Sequence, residues 1–233
     1  EARDSSGYTL PHTGEGISLI SSLRSMQDTE SNRISTYIQE TYTLEHKSGI
    51  YNFTGGVRLS YWDYNRECIV SPRISVGFNP AFNPRLTFRF ATGLYYQAPF
   101  YKEFRDTLQD SRGNWTVRLN DRIKSQRSVH VILGSDFTFR AMDRPFKLTG
   151  EVYYKKLDRL ISYEVDNVRV WYSGKNNSEG YIAGLDLKLF GEFVPGVDSW
   201  LTFSLMTAKE KTASGYVPLP TEQRYSVGLF FQD

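Results

Sequence analysis

No run of hydrophobic residues in this chain approaches the roughly 20 that a membrane-spanning helix requires, and its mean hydropathy is −0.46. A helical membrane protein is thereby excluded. The single cysteine, Cys68, permits no internal disulfide, and no cysteine or histidine spacing suggests zinc. Neither sign of charge dominates: 28 basic and 26 acidic residues are spread along the chain for a net +2, without a basic block. A nucleic-acid surface therefore has no support. Glu1-Ala2-Arg3-Asp4 lacks the pattern of a signal peptide, so an export signal is expected to be absent or removed. Gly14-Glu15-Gly16 lacks the strand, helix and third glycine of a dinucleotide loop.

Aromatic residues are abundant, 15% of the chain with 16 Tyr and 15 Phe, and alternation is sustained. Tyr51, Phe53, Gly55, Val57, Leu59 and Tyr61 interleave with Asn52, Thr54, Gly56, Arg58 and Ser60. Soluble strands show the same period over about 5–6 residues. Runs here are longer and match the roughly 9–11 residues a tilted strand needs to cross a bilayer. The clearest run sets Leu86, Phe88, Phe90, Thr92, Leu94 and Tyr96 against Arg85, Thr87, Arg89, Ala91 and Gly93. Two arginines on the inner face would be prohibitive in a dry core without partners. In a water-filled lumen they cost little. Because hydrocarbon tolerates no unpaired backbone, only a closed barrel can pair every such strand.

Further strands are expected at 33–47, 73–78, 125–139, 146–155, 180–193, 200–208 and 223–231. Residues 1–32 show no sustained period and read as a non-strand lead-in on the extracellular side; the barrel occupies 33–233. Short connections are expected at 48–49, 79–84, 140–145 and 194–198, and long ones near 62–72, 97–124, 156–179 and 209–222. Such sorting by parity matches the short periplasmic turns and long external loops of outer-membrane barrels. About nine crossings are odd where bacterial barrels are even-numbered, and Phe230-Phe231-Gln232-Asp233 stops inside a strand pattern. The fold expected is all-β, a partial antiparallel transmembrane β-barrel, as a piece of a longer protein.

Several motifs then carry a resemblance. They are Gly56-Val57-Arg58-Leu59-Ser60-Tyr61-Trp62, Ser71-Pro72-Arg73, and Gly93 through Tyr101 (GLYYQAPFY). With them come Lys124 to Ser128, Glu151 to Lys155, Tyr163 to Arg169, and Gly180 to Asp186. In combination, over residues 33–233, these resemble the barrel of TonB-dependent outer-membrane receptors of the Bacteroidetes type. The resemblance implies a 22-stranded barrel closed by an N-terminal plug, with an energy-coupling box before it; neither plug nor box is in this sequence. It implies import of a scarce nutrient (siderophore, haem, cobalamin, glycan or peptide) into the periplasm. Implied partners are outer-membrane lipid, a TonB-type energy-coupling protein and a surface lipoprotein. No cofactor and no metal site is expected. A passive porin or barrel adhesin stays open as the alternative.

Three groups of residues are candidates. Gln97, Phe100, Tyr101, Trp171, Tyr172, Asn176 and Asn177 lie at the barrel mouth, where aromatics stack ligands or simply pack loops. Arg58, Arg73, Arg85, Arg89, Arg127, Glu151, Lys155, Asp186 and Lys188 are expected to face the lumen, to contact ligand or plug or to pair across strands. Tyr61, Trp62, Tyr95, Tyr96 and Trp200 are expected as interfacial anchors. Catalysis is disfavoured. Ser128 and His130 share a face two residues apart, about 7 Å along a strand and too far for a nucleophile–base pair.

Overall fold

The computed structural model describes residues 2–8, 19–25, 30–109, 115–166, 169–212, 215–220 and 222–232. Its strands are β1 (Ala2–Tyr8), β2 (Leu19–Ser25), β3 (Arg33–His46), β4 (Gly49–Trp62), β5 (Glu67–Pro80), β6 (Leu86–Gln97) and β7 (Arg105–Gln109). They continue as β8 (Trp115–Leu119), β9 (Gln126–Ala141), β10 (Arg144–Asp166), β11 (Arg169–Val194), β12 (Val197–Thr212), β13 (Gly215–Pro218) and β14 (Tyr225–Gln232). No helix occurs among the described residues.

The main sheet is an antiparallel meander, β3-β4-β5-β6-β9-β10-β11-β12, with β13 and β14 sharing the last edge one above the other. It is thus nine strands wide and remains open between β3 and β14. The short turns suit their sequences. Met142-Asp143 closes β9 to β10 with both residues at positive φ, 51° and 60°, the backbone of a two-residue hairpin whose twist matches the strands. Pro195-Gly196 closes β11 to β12, with Gly196 at φ 77°. Proline fixes the first central residue and glycine supplies the positive φ of the second.

Alternation assigns the two faces. Phe53, Val57 and Leu59 on β4 lie opposite Val76, Pro72 and Val70 on β5, and Phe88 and Phe90 on β6 follow Phe78 and Val76. Leu133, Val152, Leu185 and Leu205 carry this apolar face across the sheet. Aromatic rings belt it near the short turns: Tyr51 stacks on Phe78 at 4.5 Å and Phe139 on Phe146 at 5.7 Å. Tyr154 and Tyr181 stack near the opposite end at 6.0 Å. This is the two-girdle pattern of an outer-membrane wall. The other face holds Thr54, Arg58, Ser75, Arg89, Asp136, Glu151, Asp186 and Lys188.

The connections differ from expectation in kind. Residues 62–72 are no long loop: β4 and β5 stay paired from Gly49–Pro80 to Trp62–Glu67, joined by the turn 63–66. Residues 156–179 form a ribbon, because β10 and β11 remain paired from Leu157–Gly180 to Asp166–Arg169 through register shifts near Leu160. The loop 98–125 contains the β7–β8 hairpin, and 209–222 contains the end of β12 and β13. The lead-in 1–32 carries the β1–β2 hairpin, which its polar sequence hid. Backbone pairing in these extensions needs no apolar period, since no bilayer covers either face there.

Candidate functional site

Pro72 sets the geometry of the mouth. The β5–β6 ladder runs from Phe78–Phe88 to Arg73–Gly93 and ends there, although both strands continue. A proline has no N–H to offer a further rung. The two strands fork above Arg73, and the end of the loop 98–125 fills the fork. Ile123 and Ser125 are fully buried there. Glu67, itself buried, accepts hydrogen bonds from the Ser125 N–H at 2.8 Å, the Ser125 hydroxyl at 2.7 Å and the Asn65 amide at 3.2 Å. Asn65 also donates to the Ile123 carbonyl at 2.6 Å. A buried carboxylate is tolerable on these terms, with its donors built around it.

Over this polar knot lies a small apolar core of Trp62, Phe104, Ile123 and Ile161, with Tyr64, Leu119 and Tyr172 packed against it. It joins the turn 63–66, the loop and the β10–β11 ribbon into one cap. Asn176 fastens loop to ribbon: its carbonyl accepts the Lys124 N–H at 2.7 Å, and its amide donates to the Lys124 and Arg159 carbonyls at 2.8 and 2.9 Å. Asn120 donates to the Gly174 carbonyl at 2.7 Å. Buried Glu103 accepts from the Phe100 N–H at 2.9 Å and from Gln126 at 3.0 Å, and burial raises its pKa above the ordinary carboxylate range despite both bonds.

The mouth residues named from sequence divide. Asn176 and Asn177 are spent on structure, Asn177 accepting from Ser162 at 2.8 Å. Phe100 and Tyr101 keep 46% and 37% exposure, and Phe100 meets Tyr172 edge-on at 5.3 Å. They leave an exposed aromatic surface on the cap. Gln97 ends β6 opposite Gln126, and Trp171 lies half-buried on the ribbon opposite Glu164.

On the wall below, Arg89 bonds Asp136 at 2.9 Å and Glu151 at 3.1 Å, Lys147 reaches Asp136 at 3.2 Å, and Thr149 donates to the same carboxylate at 2.8 Å. These charges neutralise one another across three strands. His130 stacks on Tyr95 at 4.1 Å, so Asp136 and His130 are committed elsewhere than to a nucleophile. Lys188 lies 4.9 Å over Trp200 and Lys155 5.1 Å over Tyr153. Asp186 faces the lumen opposite Glu151, and Arg85, just before β6, accepts the Thr138 N–H on its carbonyl.

Four facings are corrected by register. Arg127 pairs with Tyr96 and Asp158 and shares the face of Val129 and Val131, so it points outward; its guanidinium bonds Asp158 at 3.0 Å. Trp62, Tyr95 and Trp200 point inward: Trp62 into the cap, Tyr95 beneath Arg73, Trp200 onto Phe230 at 4.5 Å. In each case a one-residue step reverses the side. Tyr61 and Tyr96 keep the outward facing of an anchor. Nothing in the sequence marks Glu67, Asn65 and Ser125 as a unit; Pro72 within an otherwise regular strand is the available signal.

A polar, charged inner face, an aromatic-belted apolar outer face and a packed cap on the long-loop side define one wall of an outer-membrane barrel. A family model described as TonB dependent receptor-like, beta-barrel matches residues 3–232. The chain belongs to that family. Its fold is similar to the crystal structure of the outer membrane transporter YddB from Escherichia coli, with a TM-score of 0.57 and 16% identity. The match covers 81% of this chain and 26% of that one, so the chain spans about a quarter of that transporter's length. No curated protein matches in sequence. This TonB-dependent receptor-like barrel resides in the bacterial outer membrane, and its family and structural neighbour are receptors and transporters.

Proposed function

We propose that this chain forms wall and external mouth of an energy-coupled receptor that captures a scarce nutrient and passes it to the periplasm. The observation that carries the reading is the cap. Three external connections share one apolar core and one buried carboxylate, so the mouth holds a fixed shape, as recognition requires and a general pore does not. Phe100, Tyr101, Trp171 and Tyr172 supply stacking surface at its rim. Lipid covers the outer face, a plug contributed by the rest of the receptor closes the lumen, and a TonB-type protein pulls on that plug. A surface lipoprotein is a further partner on the cap side.

The test is uptake by cells expressing the full-length receptor, with and without a proton gradient. Receptor-dependent uptake that collapses with the gradient, while surface binding persists, is the expected result. Uptake that continues without the gradient identifies a passive pore instead.

A further inference from the structure

Three arginines on adjacent strands gather on the inner wall beneath the cap. Arg33 on β3, Arg58 on β4 and Arg73 on β5 alternate with Ser35, Ser60 and Ser71 along the same face. They line a cavity of about 200 Å³ at the β5–β6 fork, and Arg58 and Arg73 line a second of about 230 Å³ beside it. Arg89, lower on the wall, is neutralised by two carboxylates. None of these three has an ion pair among the described residues.

Each is held in place with most of its donors left over. The Arg33 guanidinium lies 4.2 Å over the Trp62 ring and that of Arg73 4.4 Å over Tyr95. Stacking on a ring face leaves the in-plane N–H groups free. Arg58 gives one N–H to the Ser35 hydroxyl at 3.0 Å. Gly93 makes the Arg73 pose possible: a Cβ there would stand 3.0 Å from the Arg73 Cγ. The flanking serines are small, so they leave space and add hydroxyl donors. Gathered cations in cavities whose lining holds no acid among the described residues, fixed in plane, match the fork geometry with which guanidinium groups bind oxyanions.

We infer that Arg33, Arg58 and Arg73 bind the oxyanion, a carboxylate or phosphate, of a small solute that enters beneath the cap. The inference rests on the receptor reading above, since it takes the solute to be cargo.

Citrate is the probe. Purified full-length receptor in detergent is titrated with citrate and followed by tryptophan fluorescence, Trp62 reporting through its stacked arginine. Saturable quenching is expected in the wild type, with at least tenfold weaker affinity in R58Q/R73Q and an intermediate loss in R73K, which keeps charge but not the fork. Glucose, a neutral probe of similar size, gives no such difference. Equal citrate affinity in wild type and R58Q/R73Q overturns the proposal, as does the absence of saturable binding in both. Unchanged citrate binding with a lowered heat-modifiability temperature shows that the arginines grip another part of the receptor, and also overturns it. The titration needs no energy source, so intact citrate binding beside failed import sinks the receptor reading and leaves the site standing.

Discussion

Ser125 donates both its backbone N–H and its hydroxyl to a single oxygen of Glu67, from 58 residues away in sequence. This pair latches the external loop into the fork of the wall. Glu67→Ala takes the acceptor from three buried donors and is expected to cost the cap roughly 2–3 kcal/mol. Glu67→Gln, which keeps an acceptor, costs less. Hydrogen exchange at the Ser125 amide measures both: acceleration beyond about tenfold in the alanine variant is expected, and unchanged protection there rules the latch out.

The facing of β6 can be checked by charge. Phe88 faces hydrocarbon at 42% exposure, whereas Thr87 faces the lumen and accepts a hydrogen bond from Asn79 at 2.7 Å. Phe88 lies opposite Phe78 in the girdle near the short turn, so Phe88→Arg is expected to cost up to about 1 kcal/mol, and Thr87→Arg less. Heat-modifiability on gels ranks the two; the reverse order puts the register off by one.

Glu103 predicts the pH response of the cap. Burial raises its pKa, so the carboxyl is protonated more readily in the folded loop than in the open one. Stability from this group is fully present below the ordinary glutamate value and is lost as pH rises through the raised one. The protection factor of the Phe100 amide, corrected for intrinsic exchange, should therefore fall across that interval. In Glu103→Gln the step should vanish. A step that survives the substitution belongs to another group.

The β7–β8 hairpin can be shortened without touching the cap's anchors, since Asn120, Ile123 and Ser125 all follow it. Replacing residues 108–116 by Asn-Gly gives Thr107 and Val117 a two-residue turn between them. The expected result is a folded, heat-modifiable barrel with lost high-affinity uptake. Normal uptake affinity would move recognition down to the lumenal wall.

Most of the wall was legible from alternation alone. Tyr51 to Tyr61 and Leu86 to Tyr96 face as their pattern implies, because a bilayer on one side and water on the other impose period two on every crossing. The cap was illegible for the converse reason. Beyond the bilayer neither face of β10 or β11 must be apolar, so a paired ribbon looks like a loop. Asn176 shows the same limit at the site: exposed amides read as ligand contacts, and only the position of Lys124 shows this one to be a fastener. Trp62, Tyr95 and Trp200 were misread because aromatic identity says nothing about which side a residue takes.

The β5–β6 ladder ends at Arg73–Gly93, beside Pro72, so closure of the upper wall depends on side chains from a loop rather than on backbone. Everywhere else on this wall a substitution changes what lines the barrel; at the fork it changes whether the barrel is sealed. Ile123, Asn65 and Glu67 act as the gasket, and damage to them opens the fork before it harms the paired strands on either side.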